Sequence, residues 1–377
     1  MRIVFRTDAS LEIGSGHLMR CLVLADELAA MGAGCMFICR DHPGHLCALV
    51  EERGHGVRIL QGSGEDDRSL LRGTVHAAWL GVDQLIDADG TQRALGNGPV
   101  DWLIVDHYGL DATWERAMRP HVERIFVIDD IADRAHDPDI LLDQNLGDKT
   151  SAYQGLFPSD RTTLFGPRYA LLAPAFASAR NESIAQRRTR PLRNVLITMG
   201  GVDRNNVTGW VLDEFERLDV DQPLRLTVVM GRTAPWVNEV RHRASAMPWP
   251  TEVLVDVKDM ARLMTEADLG IGAAGSTSWE RCCLGSPSVL MILAENQRPI
   301  ANALADVGAA RVVDHTLSGA GRTFRGIMQE LLTDRAALER MAHASAKVTD
   351  GLGCRRVSEI MVRSMRSSGS VNEGAFE

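Results

Sequence analysis

The feature of this 377-residue sequence that most narrows its fold is an alternation of short β-branched runs with helical stretches, sustained along the chain. That alternation predicts parallel sheets wrapped by helices, the α/β class. In the first half the candidate strands are Ile3–Phe5, Cys35–Cys39, Val57–Leu60, Trp102–Val105, Ile125–Ile128 and Ile140–Leu142. Most are nearly continuous apolar runs, as expected where both faces of a parallel sheet are covered. Leu18, Cys21, Leu22, Ala25, Leu28 and Ala29 recur at helical spacing, so His17–Met31 reads as an amphipathic helix. Residues 176–193 are polar, lack strand character and read as a linker.

A second series follows: Val195–Thr198, Leu226–Val229, Val253–Val255, Leu269–Ile271, Val289–Ile292 and Val312–Val313. Two similar halves and a hinge imply two domains, 1–177 and 192–366, with a cleft between them and a disordered tail over 367–377. Open α/β sheets bind ligands at the carboxyl ends of their strands, so the site is expected there.

Composition removes several function classes. A formal net charge of -9 argues against nucleic acid as a partner, because phosphate-backbone binding needs a basic face. No stretch approaches the roughly 20 apolar residues of a membrane-spanning helix, and the first residues, Met1–Arg6, read as a strand rather than a signal peptide. The seven cysteines form no CxxC pair, so reduced core thiols and a cytoplasmic location are expected. His17, His42, His45 and His107 come from different loops without ligand spacing, and no metal is expected.

Three glycine turns carry the chemistry. Gly14-Ser15-Gly16-His17 lies between the first strand and the first helix, where glycines let backbone approach a ligand and the helix start offers N–H groups to an anion. It is not the GxGxxG dinucleotide fingerprint, since Met19 stands where the third glycine would be, so no nicotinamide cofactor is expected. His17 sits at the helix end whose dipole favours a neutral imidazole, as a general base or as a simple cap. Gly200-Gly201 follows the first strand of the second half, and Gly275-Ser276-Thr277 precedes a helix bearing Glu280. Small residues and hydroxyls suit a diphosphate, and Glu280 suits a ribose diol. Taken singly, each turn is as easily a tight connection between strand and helix. Asp106-His107-Tyr108-Gly109 and Glu295-Asn296-Gln297 follow apolar strands and are expected to open on the cleft.

The combination of Phe5-Arg6-Thr7-Asp8, Ile13-Gly14-Ser15-Gly16-His17 with Arg20, and Asp106-His107-Tyr108-Gly109 resembles the UDP-sugar hydrolases of pseudaminic acid biosynthesis. Gly166–Leu172, Met199-Gly200-Gly201, Asn296-Gln297 and Asp350-Gly351-Leu352-Gly353 extend the resemblance over nearly the whole chain. It implies two Rossmann-like domains in the GT-B arrangement of MurG-type glycosyltransferases. It also implies release of UDP from UDP-2,4-diacetamido-2,4,6-trideoxy-β-L-altropyranose, whose sugar feeds a nonulosonic acid for flagellin or surface polysaccharide.

By the same resemblance His17 activates water, and Tyr108 and Asn296 touch the sugar. Asp8, Gly14, Ser15, Gly16, Arg20, Gly200, Gly201 and Gln297 are further substrate contacts. Uracil lies near Met260, the diphosphate at Gly275, Ser276 and Thr277, and the ribose on Glu280. Ala173 and Ala175 stand where the family has Arg and Glu. A single UDP-sugar is the expected partner, with a monomer compatible with the sequence. A glycosyltransferase using a UDP-sugar donor, a non-catalytic UDP-sugar-binding protein and, more distantly, a 2-epimerase remain alternatives.

Overall fold

The computed structural model describes residues 1–61, 75–187, 190–220 and 222–369. Contacts divide the chain into two units: Met1–Leu171 together with the segment from Gly353 onward, and Leu172–Leu352.

The first unit holds a seven-stranded sheet of β1 (Arg2–Thr7), β2 (Gly34–Arg40), β3 (Gly56–Leu60), β4 (Trp102–Asp106), β5 (Ile125–Ile128), β6 (Ile140–Asp143) and β7 (Thr162–Phe165). Their order is β3-β2-β1-β4-β5-β6-β7, and every pairing is parallel. The second unit repeats the scheme with β8 (Asn194–Thr198), β9 (Arg225–Met230), β10 (Thr251–Val255), β11 (Leu269–Ala273), β12 (Ser288–Ile292) and β13 (Ala310–Asp314). Its order is β10-β9-β8-β11-β12-β13, again all parallel.

Alternate residues of each strand point to opposite faces, so each sheet needs an apolar layer on both sides. In the first unit Ile3, Phe5, Phe37 and Ile104 meet Leu18, Cys21, Leu22 and Ala25 of the helix Gly16–Ala30. Val4, Ile38, Leu103 and Val105 face the other way, onto Leu80, Trp114 and Met118. All twelve strands expected from the sequence are present. The seventh strand of the first sheet, β7, escapes the apolar pattern because Thr162 and Thr163 are exposed at the sheet edge.

In both sheets the strand order reverses between the first and fourth strands, β1 beside β4 and β8 beside β11. At such a switch point the flanking connections leave in opposite directions and open a crevice beyond the strand ends.

Two segments differ from the sequence reading. The expected linker contains a helix, Pro174–Arg187, tied into the second unit. Arg187 donates to the carbonyls of Ala267 (2.6 Å) and Leu284 (3.3 Å), Arg180 to that of Thr349 (3.0 Å), and Ser183 to Leu284 (2.9 Å). Its polar side chains thus satisfy carbonyls at helix ends, which is why they gave no sign of burial in the sequence. The closing helix, Gly353–Gly369, belongs to the first unit rather than the second. Cys354, Val357 and Met361 form one buried stripe that joins the core beside Leu18 and Leu22. Of the expected tail, 367–369 end this helix and 370–377 lie outside the described residues.

No helix among the described residues is long and apolar enough to cross a membrane. Met361→Ala should lower the stability of the first unit by about 2–5 kcal/mol, the range for emptying a fully buried methionine site. Urea unfolding followed by circular dichroism measures this, and an unchanged midpoint would detach the closing helix from that core.

Candidate functional site

In the first unit the turn after β1 closes on itself. Ser10 Oγ accepts from the backbone of Glu12 (3.1 Å) and Ile13 (2.9 Å), while Gly14, at φ +81°, donates to the Ser10 carbonyl at 2.9 Å. That positive φ is why a glycine stands at position 14. Ser15 precedes the helix without capping it through its side chain, Gly16 is its first residue, and His17 follows in its first turn.

Because β1 and β4 are neighbours, with Thr7 opposite Asp106, the last residue of β4 reaches that first turn. His17 Nδ1 lies 2.6 Å from Asp106 Oδ1. Arg20, one turn along the same helix, donates through Nε to Asp106 Oδ2 at 2.6 Å and through Nη2 to Oδ1 at 2.7 Å. Burial works to raise the Asp106 carboxyl, but Arg20 and His17 outweigh it and hold it well below the usual carboxylate range. An ionised Asp106 can only accept, so His17 donates through Nδ1, and in the neutral imidazole Nε2 is then the nitrogen that holds the lone pair. Nε2 has no hydrogen bond among the described residues.

Arg20 Nη1 continues to Asp130 at 2.6 Å; Asp130 in turn accepts from Tyr108 Oη (2.7 Å) and Asn145 Nδ2 (3.0 Å). Burial and then Asp130 push the Tyr108 phenol well up, so it stays protonated. Its ring meets the His17 imidazole edge-on at 4.5 Å, and Trp79 stacks on Tyr108 at 5.8 Å.

Asp8, expected among the substrate contacts, is wholly buried. It accepts from Arg6 Nη1 and from the Arg40 backbone, both at 2.7 Å, and so braces β1 against β2. His107 Nδ1 accepts from the Gly109 backbone at 3.0 Å, and burial pushes this imidazole down to about 3.

The second unit presents its turns along one sheet edge. Thr198 pairs with Gly272, and Ala273 with Met291, so the ends of β8, β11 and β12 lie side by side. After β8 come Gly200, at φ +92°, and Gly201, whose carbonyl would meet any Cβ on Gly231. After β11 come Gly275, with open space at its Cβ position, then Ser276 and Thr277, whose hydroxyls make no hydrogen bond among the described residues.

Glu280 is half-buried one turn further on, and its carboxyl is pushed up to about 7 by burial, opposed by Arg281. After β12, Asn296 is exposed, whereas Gln297 Oε1 accepts from the Leu293 backbone at 3.1 Å and shapes its own loop. Met260 begins a helix capped by Asp259, beyond β10 and two strands away from β8. Ala173 is half-buried ahead of the helix Pro174–Arg187 and Ala175 is exposed within it.

Sequence reasoning reached His17, Arg20 and Tyr108 but not their carboxylate partners. Asp106 was legible as a polar residue ending a strongly apolar strand, yet nothing local marks it as the partner of His17, 89 residues away. Asp130 and Asn145 gave no signal at all. Among the described residues no group of three His, Cys, Asp or Glu side chains is placed to hold a metal ion.

Burial raises the Glu280 carboxyl, so between the ordinary glutamate value and about 7 the folded chain keeps a proton that the unfolded chain has released. Stability therefore falls as pH rises through that window and levels above it. Denaturation across this range should show Glu280→Gln losing less stability than the natural chain; parallel curves would mean that Glu280 titrates normally.

Residues 194–352 match the glycosyltransferase family 28 C-terminal domain. The chain is 25% identical over 309 residues to the UDP-2,4-diacetamido-2,4,6-trideoxy-β-L-altropyranose hydrolase of Campylobacter jejuni, covering 82% of this chain and 97% of that protein. It is 24% identical over 302 residues to an uncharacterized protein of Methanocaldococcus jannaschii, of whose length it spans 57%. Among solved structures, MurG of Acinetobacter baumannii superposes with a TM-score of 0.67 at 18% identity, covering 96% of this chain and 99% of that one. By these likenesses the chain has the two parallel-sheet α/β domains of the MurG-like, GT-B fold and is similar to the Campylobacter jejuni UDP-sugar hydrolase.

Proposed function

We propose that the protein is a nucleotide-sugar hydrolase that releases UDP from a UDP-linked diacetamido-trideoxyhexose, with His17 as the base that activates water. The observation that carries this reading is the His17–Asp106 pair, an imidazole fixed through Nδ1 with Nε2 left to take a proton. The likeness to the Campylobacter jejuni hydrolase supports the substrate class.

In this reading the second unit holds the nucleotide. Uracil rests near Met260, the diphosphate on Gly200, Gly201, Gly275, Ser276 and Thr277, and the ribose diol on Glu280. Asn296 and Tyr108 contact the sugar, with Gln297 holding the Asn296 loop. The backbone turn of Gly14, Ser15 and Gly16 borders the water.

His17 Nε2 takes a proton from water as the oxygen attacks C1, and the bond from C1 to the diphosphate oxygen breaks with its electron pair. N–H and O–H donors receive the charge developing on UDP. Attack opposite the leaving group inverts C1. Asp106 then lies against the imidazolium and stabilises it, while Arg20 and Asp130 keep Asp106 in place.

A glycosyltransferase is the second reading, favoured by the family 28 domain match. The same base would then deprotonate a sugar hydroxyl instead of water.

An NMR time course of the UDP-diacetamido-trideoxyhexose in ¹⁸O-water, without acceptor, separates the two. Rapid UDP release with label on the inverted C1 is expected; label on phosphate would overturn attack at C1 and move it to phosphorus, and an intact bound substrate that turns over only with an acceptor would overturn the hydrolase.

His17→Asn should keep UDP affinity and lose turnover by about 10²-fold or more, the usual contribution of a general base. Asp106→Asn should act in the same direction by unsettling the tautomer. Wild-type turnover in both would remove the pair from the chemistry.

The Glu280 carboxylate is the form that accepts both diol protons, so UDP-sugar affinity should rise with pH up to about 7 and then level. Calorimetry with Glu280→Gln should give a flat profile, and a wild-type profile that is already flat would separate Glu280 from the ribose.

A further inference from the structure

Arg281 lies within the helix Thr277–Cys283 of the second unit, almost wholly buried at 2% exposed, and its side chain reaches back to the turn that follows β11. Its Nη2 donates to the Ala273 carbonyl at 2.9 Å and to Ser278 Oγ at 3.2 Å, while Nε and Nη1 are buried without a hydrogen-bond partner among the described residues. No carboxylate lies within ion-pair distance of it among the described residues, and its neighbour Glu280 carries a carboxyl raised toward neutrality. Burial lowers the guanidinium to about 10, with Cys282 and Glu280 working the other way, so it remains charged at neutral pH.

The sheet is shaped to admit this side chain. A Cβ on Gly270 would stand 2.9 Å from Arg281 Cδ, and one on Gly272 would stand 2.8 Å from Nη1 and collide with the Thr198 carbonyl. The guanidinium therefore lies where the ends of β8 and β11 meet, at the strand ends from which the chain runs on to Gly200 and to Gly275.

A buried charge without a counter-ion is costly, and a chain normally pairs it. The first unit does so: Arg6 and Arg40 share Asp87, at 2.7 and 2.5 Å. We infer that Arg281 is the buried counter-charge of the nucleotide site, a positioning residue whose missing anion is the diphosphate of the bound nucleotide. It acts on the ligand through the Ala273–Ser278 turn and through its field, since its own nitrogens are shut off from solvent. A charge in such a low-dielectric setting is weakly screened, which makes it selective for the phosphate-bearing part of the ligand.

The inference rests on the nucleotide-binding reading and is tested apart from it. UDP and uridine are titrated by calorimetry and ligand-observed NMR into the full chain and into Arg281→Met and Arg281→Lys. Arg281→Met should lose UDP affinity by about tenfold or more, with uridine binding within about twofold of wild type and Arg281→Lys restoring most of the loss. Equal loss of UDP and uridine would reduce Arg281 to a structural role, and wild-type UDP affinity in Arg281→Met would overturn the assignment outright.

Should Arg281→Met fail to fold, the Nε–H resonance of Arg281 in the wild-type chain decides. A shift on adding UDP but not uridine supports the counter-charge, and no shift overturns it. Wild-type protein that binds no UDP would overturn the nucleotide reading and this inference together.

Discussion

The first unit depends on one buried carboxylate. Asp106 ends β4 with no exposed surface, yet it stays ionised because Arg20 contributes two hydrogen bonds and His17 a third. Removing two charged groups from water is unfavourable unless their geometry is close and their remaining polar atoms are satisfied. Both conditions are met, and the arrangement extends outward through Asp130 to Tyr108 and Asn145. The orientation of His17 is therefore set by a chain of hydrogen bonds spanning the helix after β1 and the ends of β4, β5 and β6, rather than by its own rotamer preference.

The two units treat buried charge in opposite ways. Around Asp87 the first unit gathers Arg6, Arg40 and the indole N–H of Trp114, and Asp8 adds a second carboxylate on Arg6, so that both guanidinium groups are ion-paired. The second unit buries Arg281 against glycine strand positions and leaves two of its nitrogens unmatched. A satisfied network rigidifies, whereas an unsatisfied charge stores electrostatic free energy that an arriving anion can release. The same Rossmann-type sheet thus supports a fixed imidazole in one unit and an unpaired cation in the other.

The elements were largely legible because parallel strands covered on both faces must be apolar runs, and twelve such runs stand in the sequence. The helix Pro174–Arg187 was not. Arg187 and Ser183 are buried and Arg180 half-buried, donating to carbonyls contributed by segments about 80 to 170 residues away, which leaves no apolar periodicity to read. The destination of the closing helix was equally hidden. Its stripe of Cys354, Val357 and Met361 shows that one face is buried but does not say against which unit.

For the site, local sequence determined the glycine turns, the position of His17 in the first turn of its helix and the small residues at Gly275–Thr277, because these follow from backbone freedom and the break between strand and helix. Tertiary structure decided which groups meet there. Strand order placed Asp106 beside His17 and Thr198 beside Gly272, and packing raised Glu280 and buried Arg281 without a counter-ion among the described residues. The physical reason is that hydrogen bonds and electrostatic fields depend on distance through space, and only the order of strands in the sheets converts distance along the chain into distance through space.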